Sequence, residues 1–92
     1  MRYIRTRRFH KSYGKLPAHI QEKAKKAFSL FRDNPRHPSL VIKKMKGKKD
    51  IWEGRVDEFY RFIFRYLTNA QTNETYCIFT DIGPHDPTER DA

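Results

Sequence analysis

The sequence predicts a small α+β domain in which two N-terminal helices pack on one face of a mostly antiparallel sheet of four to five strands. Apolar residues at helical spacing occupy the first half of the chain, and alternating aromatic segments occupy the second half. The 92 residues leave room for one core, so we expect a single domain over residues 1–92, with a loose tail at 87–92. The 7 Phe, 5 Tyr and 1 Trp can fill that core, and a single cysteine excludes an internal disulfide.

The N-terminal half is predicted to hold one strand and two helices. Residues 2–9 mix β-branched and aromatic types with arginines, which is typical of an edge strand. Residues 10–15 are predicted as a short helix interrupted at Gly14. The second helix is predicted from Pro17 to Asn34, where proline suits the first turn and Asn34-Pro35 ends the helix. Its apolar face comprises Leu16, Ile20, Ala24, Ala27, Phe28 and Phe31.

Four further strands are predicted after the helices, at residues 40–46, 51–57, 60–67 and 75–82. The segment 60–67 alternates most clearly, because its even-numbered residues are all aromatic and its odd-numbered residues include two arginines. Segment 75–82 is apolar on both sides apart from Asp81, which favours a central strand that is covered on both faces. Gly83-Pro84 is expected to end it. The core prediction includes Trp52, Tyr60, Phe62, Phe64, Tyr66 and Cys77.

The register of one predicted hairpin determines which charges share a face. Placing Arg55 opposite Arg61 sets Trp52 opposite Phe64 and Gly54 opposite Phe62. A slip by one residue would bury Arg55 among aromatic rings. We therefore expect Arg55, Arg61 and Arg65 on the sheet face that the helices leave uncovered, with Glu53 beside them. Two arginines on a rigid sheet suit a phosphate, because each guanidinium is a planar fork of donors.

The charge is large and unevenly distributed. The net charge is +9, and residues 1–49 hold 16 basic and 2 acidic side chains against 4 and 9 in residues 50–92. Five lysines fall within residues 43–49. The net charge favours a polyanionic partner, and nucleic acid, a ribosomal surface and an acidic protein segment all fit, while the lysine run favours contact with nucleic acid. No apolar run reaches the roughly 20 residues of a membrane-spanning helix, and the basic N-terminus lacks the apolar stretch of a signal peptide. We expect a cytoplasmic protein with no membrane partner.

Several segments, in this order and spacing, resemble the RelE/ParE superfamily of bacterial toxins from type II toxin–antitoxin modules. They cover roughly residues 3–86 and comprise residues 9–16, the helix 17–34, Lys43–Gly47, Ile51–Val56, Tyr60-Arg61 and Ile82–Asp86. The resemblance implies a RelE-like fold and an antitoxin partner. The ending Gly83-Pro84-His85-Asp86 and the lysine-rich segment are similar to the RelE and HigB branch, whose members cleave messenger RNA on the ribosome without metal or cofactor.

The resemblance also implies roles for single residues. Arg61 matches the central phosphate-binding arginine of the family, Arg55 matches a basic position on the preceding strand, and His85 is the candidate for proton transfer, oriented by Asp86. Histidine suits proton transfer near neutral pH. The candidate contacts to RNA and the ribosome are Lys43, Lys44, Lys46, Lys48, Lys49 and Arg65.

Two other functions stay open at the level of sequence. The ParE branch of the same superfamily poisons DNA gyrase instead of cleaving RNA. A non-catalytic basic module that binds RNA or protein is the other alternative, because residues 87–92 lack the tyrosine that relatives often place after the last motif. A DNA-binding repressor is disfavoured, since no helix-turn-helix spacing is visible.

Overall fold

Two helices pack on one face of a five-stranded mixed sheet in this computed structural model, which describes residues 1–47 and 50–84. The strand order is β1-β5-β4-β3-β2, with β1 parallel to β5 and the other neighbours antiparallel. The elements are β1 (Arg2–Arg5), α1 (Arg7–Gly14), α2 (Ala18–Asp33), a 3₁₀ turn (Pro38–Leu40), β2 (Lys43–Lys44), β3 (Trp52–Arg55), β4 (Tyr60–Thr68) and β5 (Thr75–Pro84). The predicted α+β architecture is confirmed.

The first strand is shorter than predicted, because a helix begins inside the expected segment. β1 ends at Arg5, and the hydroxyl of Thr6 accepts a hydrogen bond from the backbone N–H of Phe9 at 3.1 Å. This is an N-cap, which satisfies one of the free donors of a helix start. The prediction of strand up to Phe9 is therefore wrong, and α1 reaches its C-terminal end at Gly14.

The second helix and its apolar face are confirmed. Asn34 is the C-cap of α2, and five of the six predicted apolar residues are buried, while Phe28 is half-buried against the core. Phe31 lies edge-on to the rings of Phe62 and Phe64, with centroids 5.7 and 4.9 Å apart. The aromatic residues of β4 and β5 thus pack directly on α2, which defines the covered face of the sheet.

The bounds of the four later strands differ from the sequence prediction: β3 covers only Trp52–Arg55 of the predicted 51–57, β4 extends by one residue to Thr68, and β2 and β5 differ more. Only Lys43–Lys44 is strand within 40–46, because Leu40 closes a 3₁₀ turn and Val41 adopts a left-handed backbone with φ of 44°. That conformation is incompatible with an extended segment and uncommon for a β-branched residue. Gly83-Pro84 does not end β5, since both residues pair with β4.

The side of the sheet opposite the helices, here called the open face, carries Glu53, Arg55, Arg61, Ile63 and Asp81. The helices lie on the opposite face, yet Glu53, Arg61, Ile63 and Asp81 are each no more than 8% exposed, so β5 is buried at Asp81 on this side as well. Tyr66 is predicted as core, yet 36% of it is exposed, although its ring contacts those of Trp52 and Phe64. No helix within the described ranges is long and apolar enough to cross a membrane.

Candidate functional site

Arg55 and Arg61 lie directly opposite each other on the open face. The pairing of β3 with β4 sets Trp52 opposite Phe64 and Arg55 opposite Arg61, which is the predicted register. Directly opposed residues in an antiparallel pair have Cα atoms about 5 Å apart. Two like charges at this spacing repel each other, and an anion between them would remove the repulsion.

Arg61 is held in place by the hairpin turn that joins β3 to β4. Its Nη1 atom donates to the carbonyl oxygens of Asp57, Glu58 and Tyr60 at 2.7, 3.2 and 3.1 Å. The residue is only 8% exposed. Within the described residues, no hydrogen bond uses Nε or Nη2, so part of the guanidinium fork is left for a ligand. On its other side Arg61 pairs with Gly83, which has no side chain to occupy the space beside it.

Asp57 makes this turn rigid. Its Oδ1 atom accepts from the backbone N–H groups of Phe59 and Tyr60, both at 2.9 Å, and its Oδ2 atom lies 3.2 Å from Nζ of Lys23 on α2. Burial alone would raise the pKa of Asp57, but the two backbone hydrogen bonds and Lys23 outweigh it and lower the pKa. The charged carboxylate of Asp57 therefore joins the hairpin turn to Lys23 of α2, and the carbonyl groups of the same turn hold Arg61.

Arg55 contributes a second guanidinium whose hydrogen bonds are incomplete. Its Nε atom is buried and has no hydrogen-bond partner among the described residues. Arg55 also lines a cavity of about 230 Å³ on the helix side of the hairpin, together with Lys23 and Lys26 of α2, so the residue borders the helical layer as well as the open face. A buried unpaired donor costs about 1–3 kcal/mol, so Arg55 is in an environment that a bound anion would improve.

Two ion pairs neutralise the carboxylates on either side of Ile63 on the same face. Lys43 Nζ lies 3.2 Å from Glu53 Oε1, and Arg8 Nη2 lies 3.2 Å from Asp81 Oδ2. Both carboxylate side chains are nearly buried, at 11% and 10% exposed, and they lie on either side of Ile63. Within residues 1–47 and 50–84, the arginines of this face that form no ion pair with a carboxylate are Arg55, Arg61 and Arg65.

The other candidate residues occupy different positions. Arg65 is exposed on the open face opposite Ile78, whereas Lys44 is paired with Trp52 and so belongs to the side of the sheet that carries the helices. Lys46 is exposed in the turn after β2. Four candidates lie outside the described residues, namely Lys48, Lys49, His85 and Asp86. Within 1–47 and 50–84, no three side chains of His, Cys, Asp and Glu cluster as a metal site.

Sequence reasoning missed the residues that support the arginines. The contact of Lys23 with Asp57 joins positions 34 apart, and no local pattern indicates it. Asp81 did leave a signal, because it interrupts an otherwise apolar strand, and its ion pair with Arg8 explains why it is tolerated there. The pairing of Glu53 with Lys43 also removes one lysine from the set that is free to contact nucleic acid.

Comparison with known proteins identifies the fold. No protein-family model and no curated protein matches the sequence. Among solved structures, the chain is similar to YafQ from E. coli strain BL21(DE3), with a TM-score of 0.72 at 16% identity, covering 96% of this chain and 98% of that one. It is also similar to a YoeB/ParE toxin from Agrobacterium tumefaciens, with a TM-score of 0.70 at 17% identity, covering 92% and 99%.

A third similarity is to the RelB–RelE antitoxin–toxin complex from Methanococcus jannaschii, with a TM-score of 0.68 at 20% identity and 96% of each chain covered. The chain has the RelE/ParE toxin fold. The match extends over nearly the whole length of each of these RelE-like structures, so the two helices and the sheet with its open face all belong to the shared fold.

Proposed function

We propose that this protein is the toxin of a type II toxin–antitoxin module and acts as a metal-independent, ribosome-dependent endoribonuclease that cleaves messenger RNA. The RelE-like fold supports the toxin assignment. The observation that carries the nuclease assignment is the pair Arg55 and Arg61, opposed on an open sheet face, with Arg61 fixed by three carbonyl groups.

The chemistry of metal-free RNA cleavage matches this pair. Attack of a ribose 2′-oxygen on the adjacent phosphate builds negative charge on the phosphorus oxygens, and fixed cations stabilise that charge. Nη2 and Nε of Arg61 are available for these oxygens, and Arg55 faces them from the neighbouring strand. The 2′-hydroxyl loses its proton to water, the bond between phosphorus and the 5′-oxygen breaks to leave a 2′,3′-cyclic phosphate, and His85, oriented by Asp86, donates a proton to that 5′-oxygen. Flanking phosphates or ribosomal RNA are bound by Lys44, Lys46, Lys48, Lys49 and Arg65. Lys43 can bind them as well once its ion pair with Glu53 is broken.

The partner proposed for this chain is a cognate antitoxin. The M. jannaschii RelE-like structure was solved as an antitoxin–toxin complex, which supports this proposal. The excess of positive charge in residues 1–49 favours an antitoxin segment that is acidic. Both the ribosome and the antitoxin are partners in the cytoplasm.

The decisive experiment measures cleavage of a message on purified bacterial 70S ribosomes. Arg61→Lys keeps the charge but loses the planar fork, and we expect cleavage to fall about 100- to 1,000-fold, the usual effect of removing one donor to a developing oxyanion. His85→Ala tests the proton transfer in the same assay. Arg36→Ala is the matched control, because Arg36 is an exposed arginine in the loop after α2.

Thermal denaturation of each variant separates loss of chemistry from loss of folding. Intact message with the wild-type protein, together with DNA breaks and an SOS response on induction in cells, would replace the nuclease assignment with a gyrase poison.

A non-catalytic binding module is the second candidate, and one observation favours it. Three carbonyl acceptors already engage Arg61, which is also what a purely structural arginine does. Salt-sensitive RNA binding without growth arrest on induction supports this candidate, whereas growth arrest with cut messages excludes it.

A further inference from the structure

The tip of the β3–β4 hairpin carries an aromatic ring that the fold does not use. Phe59 is 65% exposed, more than any other large apolar side chain of the described residues except Met1. Within 1–47 and 50–84 it makes no ring contact, although most aromatic residues of the chain do. Burying a phenylalanine side chain stabilises a folded protein by about 1.5–3 kcal/mol, and the exposed Phe59 contributes little of that stabilisation.

The backbone that presents this ring is rigid. The Phe59 N–H donates to Oδ1 of Asp57 at 2.9 Å, and the hairpin is closed by a hydrogen bond from Val56 N–H to the carbonyl of Tyr60 at 3.0 Å. Asp57 is in turn bound to Lys23 of α2. A ligand that contacts the ring therefore meets a backbone that is already ordered, which reduces the entropy cost of binding.

The same backbone connects the ring to the candidate phosphate-binding arginine. Nη1 of Arg61 donates at 3.2 Å to the carbonyl of Glu58, which belongs to the peptide group that leads into Phe59. The ring of Phe59 is therefore separated by one side chain from the peptide group that is hydrogen-bonded to the guanidinium of Arg61. In a nucleotide the base and the phosphate are separated by one ribose, a span of similar length.

We propose that Phe59 is a stacking platform for one base of a single-stranded RNA whose adjacent phosphate is bound by Arg61. This rests on the proposed RNA-cleaving function and adds a subsite to it. A phenylalanine ring has no hydrogen-bonding group, so it stacks on any base and adds affinity without reading sequence. It supplies an aromatic contact to the substrate from a hairpin in a chain whose residues 87–92 contain no aromatic residue.

The surroundings of the ring favour a base over a protein partner. Protein hot spots usually lie within a larger apolar patch, whereas Phe59 is preceded by Asp57 and the exposed Glu58 and followed by the half-buried Tyr60. These carboxylates disfavour an acidic protein segment at the tip. They also disfavour phosphate there, so the neutral base faces the ring while the backbone lies at the arginines.

The test measures RNA binding separately from cleavage. The probe is a short message on 70S ribosomes in which successive A-site nucleotides carry 2-aminopurine and a 2′-O-methyl group, which prevents attack. Stacking quenches 2-aminopurine fluorescence. We expect Phe59→Ala and Phe59→Leu to abolish quenching at one position and to weaken binding about 5- to 150-fold, the equivalent of 1–3 kcal/mol per stacked base.

Phe59→Trp retains a flat ring and is expected to keep both quenching and affinity. Leu67→Ala is the matched control, since Leu67 is 48% exposed near the far end of β4. Wild-type protein that binds the probe, with Phe59→Ala binding and quenching equally well, overturns the stacking proposal and leaves the nuclease proposal intact. If Phe59→Ala binds and quenches the probe like the wild type but no longer binds a protein partner, the ring is a protein contact and the stacking proposal is overturned. Wild-type protein that neither binds the probe nor cleaves unmodified message overturns both proposals.

Discussion

Gly54 sets how closely β3 approaches the core, and Gly54→Ala is expected to destabilise the protein strongly. A Cβ atom there would overlap Cζ of Phe62 and lie 2.6 and 2.7 Å from its two Cε atoms. The Phe62 ring cannot retreat easily, because it is fully buried and its centroid lies 5.3 Å from that of Phe28 and 5.7 Å from that of Phe31. Gly54 separates Glu53 from Arg55, so a displaced strand also displaces the arginine pair.

The expected cost is near the upper end of the range for overpacked cores, about 3 kcal/mol. For a domain of this size, that corresponds to a fall in Tm on the order of 10–20 °C. The assay is urea denaturation followed by the fluorescence of Trp52, the only tryptophan, which stacks on Phe64 next to the substituted position.

Gly14→Ala is the matched control, because nothing lies within 4 Å of a Cβ at Gly14 and alanine is the better helix former. Its stability should be unchanged or higher by up to about 1 kcal/mol. The double variant Gly54→Ala with Phe62→Leu should recover part of the loss, since leucine vacates the overlapping atoms. A cost below about 0.5 kcal/mol for Gly54→Ala alone would refute the steric argument.

Three further predictions concern the cap, a carboxylate and the cysteine. Thr6→Ala should lower the free energy of unfolding by about 1 kcal/mol through loss of the N-cap, while Thr6→Ser keeps it, as urea midpoints will show. Because the folded pKa of Asp57 lies below its ordinary value of 3.8, its stabilisation is present above that value and lost as pH falls through the folded pKa. Urea midpoints between pH 5 and 2 should therefore fall more steeply for the wild type than for Asp57→Asn, and parallel curves would contradict this. Cys77 is fully buried and burial raises the pKa of its thiol to about 12, so both access and ionisation should make a thiol reagent at pH 8 label the native protein at least about 1,000-fold more slowly than the protein in urea.

The sequence was most informative where one arrangement was much better than its alternatives. The β3–β4 register was predictable, because a slip by one residue buries Arg55 among aromatic rings. The face of α2 was predictable from the spacing of residues such as Ile20, Ala24 and Phe31. Both features rest on a large difference in burial energy between the observed arrangement and the next one.

Boundaries and long-range polar contacts were not predictable, because local chemistry permits several outcomes of similar energy. Residues 7–9 suit a strand as well as a helix, and the N-cap hydrogen bond at Thr6 favours the helix. Val41 departs from extended geometry without glycine or asparagine to signal it. For the candidate site, sequence placed the two arginines together but gave no indication of the turn at Asp57 that holds one of them. The roles of His85 and Asp86 stay predictions.

The parallel pairing of β1 with β5 has a consequence for how this protein is made. Hydrogen bonds such as that from Thr6 to Thr80 join positions 74 apart, and β5 lies between β1 and β4 in the sheet. A growing chain that has not yet produced residues 75–84 offers only β2–β4 as a small meander, with its central aromatic residues unpaired on one side. Residues 75–84 must therefore be made before the five-stranded sheet can close, and until then the β3–β4 hairpin that carries Arg55 and Arg61 has no strand on its other side.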